Sequence, residues 1–446
     1  MRILLLDTAL LQKFLLKWGG YLLFLLTGCV TPYDFDVLGE ATALVVDATL
    51  TNEEKAHTVK LTLAENLDSA TFRTVSGASV AYLSSDQRIA LREAVPGVYV
   101  TDSSFSGIPG NSYQLEIILE NGQEYLSTTE TLPIAVPIDS IYARYLVIPN
   151  DDNANDLNGV QIFLDAHGEG AEPLNFRYEY LESYAIDVPF PSQYYFQGFG
   201  NSFEVIKREA PLERCYRTAR QSTTIIATTK SLSANRIAEQ PIRFISESLP
   251  ELAYAYRIGV RQYTITNKAF EFYKRLRENN EGSGSLSDRQ LGRLTGNISG
   301  SPGAALDVLG YFEVAGVSEV RMSLNAEDFL KDGIQTPDWV CPIDSIRRPL
   351  GCPPFGTCTL DWEFPIRVRY EQEVVDIIRG DTVRTIESFF DFTSLDSLIN
   401  LPCCRDNWRI TNIPEDEDFA YFTHRFCSDC TTYGAFERPE VWEDIH

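Results

Sequence analysis

The segment Tyr113-Gln114-Leu115-Glu116-Ile117-Ile118-Leu119 meets Glu124-Tyr125-Leu126-Ser127-Thr128 across Asn121-Gly122. Apolar and polar side chains alternate with period two on both sides of a dipeptide that favours left-handed backbone, a strong signal for a β-hairpin. The same period runs outward. Upstream, Leu44-Val45-Val46-Asp47-Ala48-Thr49-Leu50 and Thr58-Val59-Lys60-Leu61-Thr62-Leu63 flank the polar Asn52-Glu53-Glu54-Lys55 turn, and Ala78-Ser79-Val80-Ala81-Tyr82-Leu83 alternates again. Short strands at regular spacing with Gly-rich turns predict an antiparallel, immunoglobulin-like β-sandwich over 44–137. Leu132-Pro133 and Val136-Pro137 punctuate its end, and Ile138-Asp139-Ser140-Ile141-Tyr142 opens a new strand.

Alternation continues through Val160-Gln161-Ile162-Phe163-Leu164, Phe176-Arg177-Tyr178-Glu179-Tyr180 and Tyr254-Ala255-Tyr256-Arg257-Ile258-Gly259-Val260, predicting a second β-rich domain over 138–324. One segment changes period. Between Asn267 and Leu276, the residues Ala269, Phe270, Tyr273 and Leu276 share one face, so a helix is expected near 267–280 with Asn267 as its N-cap. The stretch 185–215 reads as a long Pro- and aromatic-rich connection. Within it Phe190, Tyr194, Tyr195, Phe196 and Phe199 form a candidate binding loop, because aromatic rings give flat contacts at low entropic cost. The bland reading is that these rings cap the domain's core. A Gly/Ser stretch from Gly282 to Gly303 leads into the strand-like Val308 to Val314 and Val317 to Leu324. Residues 325–446 hold seven of the nine cysteines and many prolines, and read as an irregular, disulfide-linked C-terminal lobe, separate or packed on the second domain.

The N-terminus sets the compartment. Arg2, Lys13 and Lys17 precede the apolar Tyr21-Leu22-Leu23-Phe24-Leu25-Leu26, and Leu26-Thr27-Gly28-Cys29 follows. A basic start, a short apolar run and small residues before the cut make a secretory signal peptide over 1–28. The tetrapeptide looks like a bacterial lipobox, in which the Cys29 thiol is acylated with chains such as palmitate and 29–43 becomes a tether. A transmembrane anchor would need about 20 apolar residues, more than the run after Lys17 supplies. Several acyl chains on one residue hold firmly, since each buried methylene contributes about 0.8 kcal/mol. Val30 stands where an Asp would favour inner-membrane retention, so a lipid-anchored outer-membrane location is expected, periplasmic or surface-facing.

The chain has 446 residues, with 38 Lys+Arg against 63 Asp+Glu and a net charge of -25. No nucleic-acid partner is expected, because phosphate binding needs clustered cations. An acidic surface suits cationic cargo and equally serves solubility. With Cys29 lipidated, Cys215, Cys341, Cys352, Cys358, Cys403, Cys404, Cys427 and Cys430 remain, an even number that reads as four disulfides in an exported protein. About a hundred pairings are possible, so connectivity stays open. The competing reading, a metal site from Cys403, Cys404, Cys427 and Cys430 with His424, has ligand spacing at one end but an adjacent pair at the other. The run Asp151, Asn153, Asn155 and Asp156 departs from a calcium loop at its sixth and twelfth places and reads as a hairpin loop, while His167 with Asp165, Glu169 and Glu172 sits in a Gly-rich turn. Neither is taken as a metal site. No HExxH, GxSxG, P-loop or dinucleotide fingerprint occurs, so neither an enzyme nor a cofactor is expected.

Several pieces carry a family likeness. Leu44-Val45-Val46-Asp47 with Thr51-Asn52-Glu53, then Val75-Ser76-Gly77-Ala78, Gly97-Val98-Tyr99 and Gly110-Asn111-Ser112-Tyr113 form one succession. Arg261-Gln262-Tyr263, Ala269 to Lys274, Leu294-Thr295-Gly296-Asn297-Ile298, Gly310 to Val314, the late cysteines and the closing Pro439-Glu440-Val441-Trp442 form another. Together these resemble the bacterial outer-membrane lipoprotein family called domain of unknown function four-two-four-nine, over nearly the whole mature chain. The resemblance brings no catalytic residues. It implies association, since such lipoproteins are often encoded beside TonB-dependent receptors. The expectation is a non-enzymatic accessory of such a receptor in nutrient capture or uptake; the alternatives are a structural or adhesive surface lipoprotein and, third, a glycan-active enzyme.

Overall fold

The computed structural model describes residues 42–66, 71–149, 157–199, 202–252, 254–281, 294–302, 304–334, 339–347, 356–359, 366–375, 382–392, 408–412, 419–435 and 439. The leader, Cys29, the Asp151–Asp156 run, Cys352, Cys403 and Cys404 lie outside them.

The protein is mainly β. Its first strands are β1 (Ala43–Thr51), β2 (Thr58–Asn66), β3 (Thr71–Thr74), β4 (Ser79–Ser84), β5 (Arg88–Val95), β6 (Val98–Val100), β7 (Ser112–Ile118), β8 (Glu124–Ser127) and β9 (Glu130–Thr131). The β7–β8 hairpin forms as the alternation demands: Tyr113, Leu115 and Ile117 are buried, and their neighbours on β7 are not. Gly122 takes φ 82°, open only to a residue without a Cβ penalty, and the Asn121 carboxamide oxygen accepts from the Gln123 N–H at 3.0 Å. Leu44, Leu50, Leu61, Tyr82, Leu115 and Tyr125 share one core.

The second region holds β10 (Ile138–Ile148), β11 (Leu157–His167), β12 (Asn175–Asp187), β13 (Tyr194–Phe199), β14 (Ser202–Lys207), β15 (Arg214–Arg220), β16 (Ile225–Thr228), β17 (Arg236–Ser246), β18 (Ala255–Ile265), helix α1 (Asn267–Glu281), β19 (Ile298–Gly300) and β20 (Asp307–Leu324). Strands β10, β11 and β17 form a three-stranded sheet that packs against β12 and β18 around Val160, Ile162, Phe176, Tyr178, Tyr256 and Ile258. In the C-terminal lobe, β21 (Trp339–Arg347), β22 (Gly356–Thr359), β23 (Ile366–Val375), β24 (Thr382–Phe392), β25 (Trp408–Asn412) and β26 (Phe419–His424) join β13 and β14 in an eight-stranded sheet. A short helix, α2 (Arg425–Ser428), follows.

Strands and core residues cross the expected boundary at 137: the first core includes Ile298, Phe312 and Val314, and Val136 packs in the second. Strand β20 spans both: Asp307 to Ala315 pair in parallel with β1, and Ala315 to Leu324 pair antiparallel with β18. Strand β19 adds to β8. The first sandwich therefore draws two strands from beyond residue 137. Local periodicity could not reveal this, because a parallel partner arrives from distant sequence.

Helix α1 begins where its period changes, but its cap lies one residue earlier than expected. The Thr266 hydroxyl oxygen accepts from the Ala269 N–H at 3.2 Å, and the Thr266 carbonyl accepts from Phe270 N–H at 3.0 Å. The same hydroxyl donates to Glu130 Oε2 at 3.0 Å. Thr266→Ala is expected to cost about 1–2 kcal/mol, read as a lower urea midpoint, whereas Asn267→Ala should leave the midpoint in place.

Candidate functional site

Successive residues of a strand face opposite sides, so β12 sends Phe176 and Tyr178 into the second core and Arg177, Glu179 and Leu181 to the other face. Register then places three cross-strand rows on that face. Arg177 lies opposite Tyr263, which lies opposite Val317; Glu179 opposite Arg261, then Glu319; Leu181 opposite Gly259, then Arg321. On the other side of Leu181 stands Arg220 of β15.

The first row is an ion-pair centre. Arg177 is buried and donates to the wholly buried Glu313 through Nε at 3.0 Å and Nη2 at 2.7 Å, and to Glu179 through Nη1 at 2.5 Å. Its guanidinium carbon lies 4.1 Å from the Tyr263 ring centre and 5.0 Å from that of Tyr273 on α1. The Tyr263 hydroxyl donates to Glu179 Oε2 at 2.8 Å. Burial opposes the Arg177 charge, yet the Glu313 carboxylate holds its pKa well above the ordinary value. Burial and the same carboxylate push the Tyr273 hydroxyl upward too, so it stays protonated and hydrogen-bonds Glu313.

The second row fastens the two sandwiches together. Arg261 Nη2 donates to Glu53 Oε2, in the turn after β1, and Arg261 Nε lies 3.8 Å from Glu319 Oε2. Glu53 also accepts from Lys55 Nζ at 2.6 Å and Thr51 Oγ1 at 2.9 Å. Burial raises the Glu53 pKa, but these hydrogen bonds and the Lys55 and Arg261 charges outweigh it and hold it below the ordinary range.

Over the third row the face opens into a cavity of about 550 Å³ lined by Arg177, Glu179, Arg220, Arg261, Glu319 and Arg321, among others. Gln221, Ser222, Thr223 and Thr224 form one wall and Tyr273 contributes to another. That wall is fixed in place: the Gln221 carboxamide oxygen accepts from Tyr180 N–H at 2.9 Å, and its Nε2 donates to the carbonyls of Tyr178 at 2.8 Å and Thr223 at 3.1 Å. Gly259 presents no side chain on the floor, which leaves the room above it open. Arginines do not release protons near neutral pH, and the Glu179 carboxyl, despite burial, is held below its ordinary range by Arg177 and the hydrogen bonds it accepts. The arrangement is suited to gripping a polar ligand through fixed charges and hydrogen bonds.

The aromatic stretch is a hairpin instead of a connection. Strands β13 and β14 pair from Tyr194 opposite Lys207 to Phe199 opposite Ser202. Gly200-Asn201 between two alternating runs is a two-residue turn signal that marks it in the sequence. Phe190 is half-buried, Tyr194 is buried and Tyr195 is exposed against the Arg208 guanidinium at 5.2 Å, while the side chains of Phe196 and Phe199 lie outside the described residues. The rings therefore do not form one exposed platform.

Cys215 on β15 and Cys430 form a disulfide, with 5.2 Å between their Cα atoms. Cys427 is also disulfide-bonded. Cys341 falls on β21 and Cys358 on β22. His167 Nδ1 contacts Asp139 Oδ1 at 2.6 Å, while Asp165 accepts from the Tyr142 hydroxyl and the Glu239 N–H. Among the described residues, no group of three His, Cys, Asp or Glu side chains is placed to hold a metal, and no helix is long and apolar enough to cross a membrane.

The arginine centre escaped the sequence reading, although its signal was present. Glu313 stands inside the apolar run Tyr311 to Ala315, and Arg177 alternates with the aromatics of β12. A charge at a core-strand position calls for a partner. No curated protein matches the chain. The family model described as Domain of unknown function (DUF4249) matches residues 30–321, which stops short of the late cysteines but spans both sandwiches and every arginine of the cavity, and the chain belongs to that family.

Proposed function

We propose that the protein is an outer-membrane lipoprotein, anchored through Cys29, that serves without catalysis as an accessory partner of a TonB-dependent receptor in nutrient capture or uptake. The cavity on the β12–β18–β20 face carries this reading: Arg177, Arg261 and Arg321 in its lining are held in ion pairs and Gln221 on its rim is hydrogen-bonded in place, which favours recognition over proton transfer. The lipobox-like Leu26 to Cys29 supports the anchor, and the family resemblance supports the receptor partner.

Pull-down of the tagged, lipidated protein from detergent-solubilised outer membrane tests the partnership. A TonB-dependent receptor should co-purify at a stoichiometric level. An eluate holding no receptor would sink the reading.

A further inference from the structure

We infer that the cavity on the β12–β18–β20 face binds a small hydroxylated ligand through an oxyanion group, a carboxylate or a phosphate, held at Arg220. Three features carry this. The first is register. Arg220, Leu181, Gly259 and Arg321 lie across four adjacent strands in one row, so two guanidinium-bearing residues flank a floor that includes a bare glycine. At about 4.8 Å per strand their Cα atoms stand about 14 Å apart, a gap that long side chains narrow to the width of a small ligand.

The second is the disposition of charge. The lining holds four arginines and two glutamates, within a chain whose net charge is -25. Arg177 is engaged by Glu313 and Glu179, Arg261 by Glu53 and Glu319, and Arg321 Nε donates to Glu319 at 3.0 Å. Among the described residues no carboxylate pairs with Arg220, which is exposed at the mouth of the cavity. Its planar fork of donors matches a carboxylate or phosphate.

The third is the hydroxyl-rich wall. Ser222, Thr223 and Thr224 follow Arg220 after Gln221 and line the same cavity. They can exchange hydrogen bonds with ligand hydroxyls, and Glu179 and Glu319 can accept from them. The acidic composition alone suggested cationic cargo; the cavity points to the opposite sign. That such a ligand is the cargo rests on the function proposed above, but binding itself does not.

The test is calorimetric titration of the full lipidated chain in detergent with glucuronate, a hexose phosphate and neutral glucose. At least one anion should bind about tenfold or more tightly than glucose. Glucuronate alone identifies a carboxylate ligand and the hexose phosphate alone a phosphorylated one. Arg220→Gln should weaken the bound anion by about tenfold, with the thermal transition unchanged because the side chain is exposed. Gly259→Leu keeps every arginine and should abolish binding by filling the floor; a Cβ there meets only the Arg321 Cγ, at an ordinary 3.7 Å. Glucose binding as well as the anions, no anion binding, or Arg220→Gln leaving affinity unchanged would each overturn the inference. Receptor pull-down reads independently of all three.

Discussion

Glu313→Ala is expected to destabilise the protein by about 3–5 kcal/mol, because it strands a charge that the fold has already desolvated. Arg177 has only 9% of its side chain exposed and Glu313 none, and they share two hydrogen bonds. Removing the acid leaves Arg177 with Glu179 as its remaining carboxylate and removes the Tyr273 hydroxyl's partner as well. Arg177→Met with Glu313→Leu should recover much of the loss, since a buried pair replaced by apolar groups leaves neither charge exposed to an apolar medium. Equilibrium unfolding in urea of the three variants and the parent checks this. A Glu313→Ala midpoint equal to the parent's, or a double variant no better than the single, would contradict it. Acid should act on the same centre. Glu179 lies below its ordinary value of 4.5 because Arg177 and the hydrogen bonds from Arg177 and Tyr263 outweigh burial. Its contribution is complete above that ordinary value and is lost as pH falls through the lower folded value.

The place of this centre explains what could and could not be read from sequence. The β7–β8 hairpin was legible because its evidence is local: an Asn-Gly dipeptide and period two on both sides. Helix α1 was legible for the same reason, and only its cap moved, because Thr266 and Asn267 are both capping residue types and tertiary contact with Glu130 selects between them. The pairing of β20 with β1 was not legible, since Gly310 opposite Val46 is a relation across 264 positions. Gly310 does hold a trace of it. Its φ is 116°, and a Cβ there would fall 1.9 Å from the Val46 carbonyl oxygen, so close strand approach requires glycine. The cavity was invisible for a related reason: Arg220, Leu181, Gly259 and Arg321 become neighbours only through register. In contrast, the aromatic run at 190–199 stands out by composition, and composition does not show that Tyr194 is buried.

Cys215→Ser is expected to cost about 2–5 kcal/mol and to loosen the segment that follows α2. The bond joins positions 215 residues apart, so it removes a large loop from the freedom of the unfolded chain. In the folded protein it pins Cys430 against β15 within a small cluster with Val188. Backbone bonds accompany it: Phe190 N–H to Cys427 O at 2.9 Å, Ser192 N–H to Ser428 O at 2.8 Å, and Tyr216 paired with Ala435. These contacts hold the segment's register but close no covalent loop, so without the disulfide they must supply the closure entropy themselves. Limited proteolysis should then cut the variant first near the C-terminal segment, while β12 and β18 remain protected. Reduction of the parent by thiol should reproduce the stability loss, and in the variant should add only the part owed to the remaining bonds, including the one at Cys427. If the variant unfolds at the parent's midpoint and its C-terminal segment resists protease equally, the Cys215–Cys430 bond is not what fastens the lobe to the second domain. The backbone contacts at Phe190, Ser192 and Tyr216, together with the β13–β25 and β14–β22 pairings, would then be sufficient.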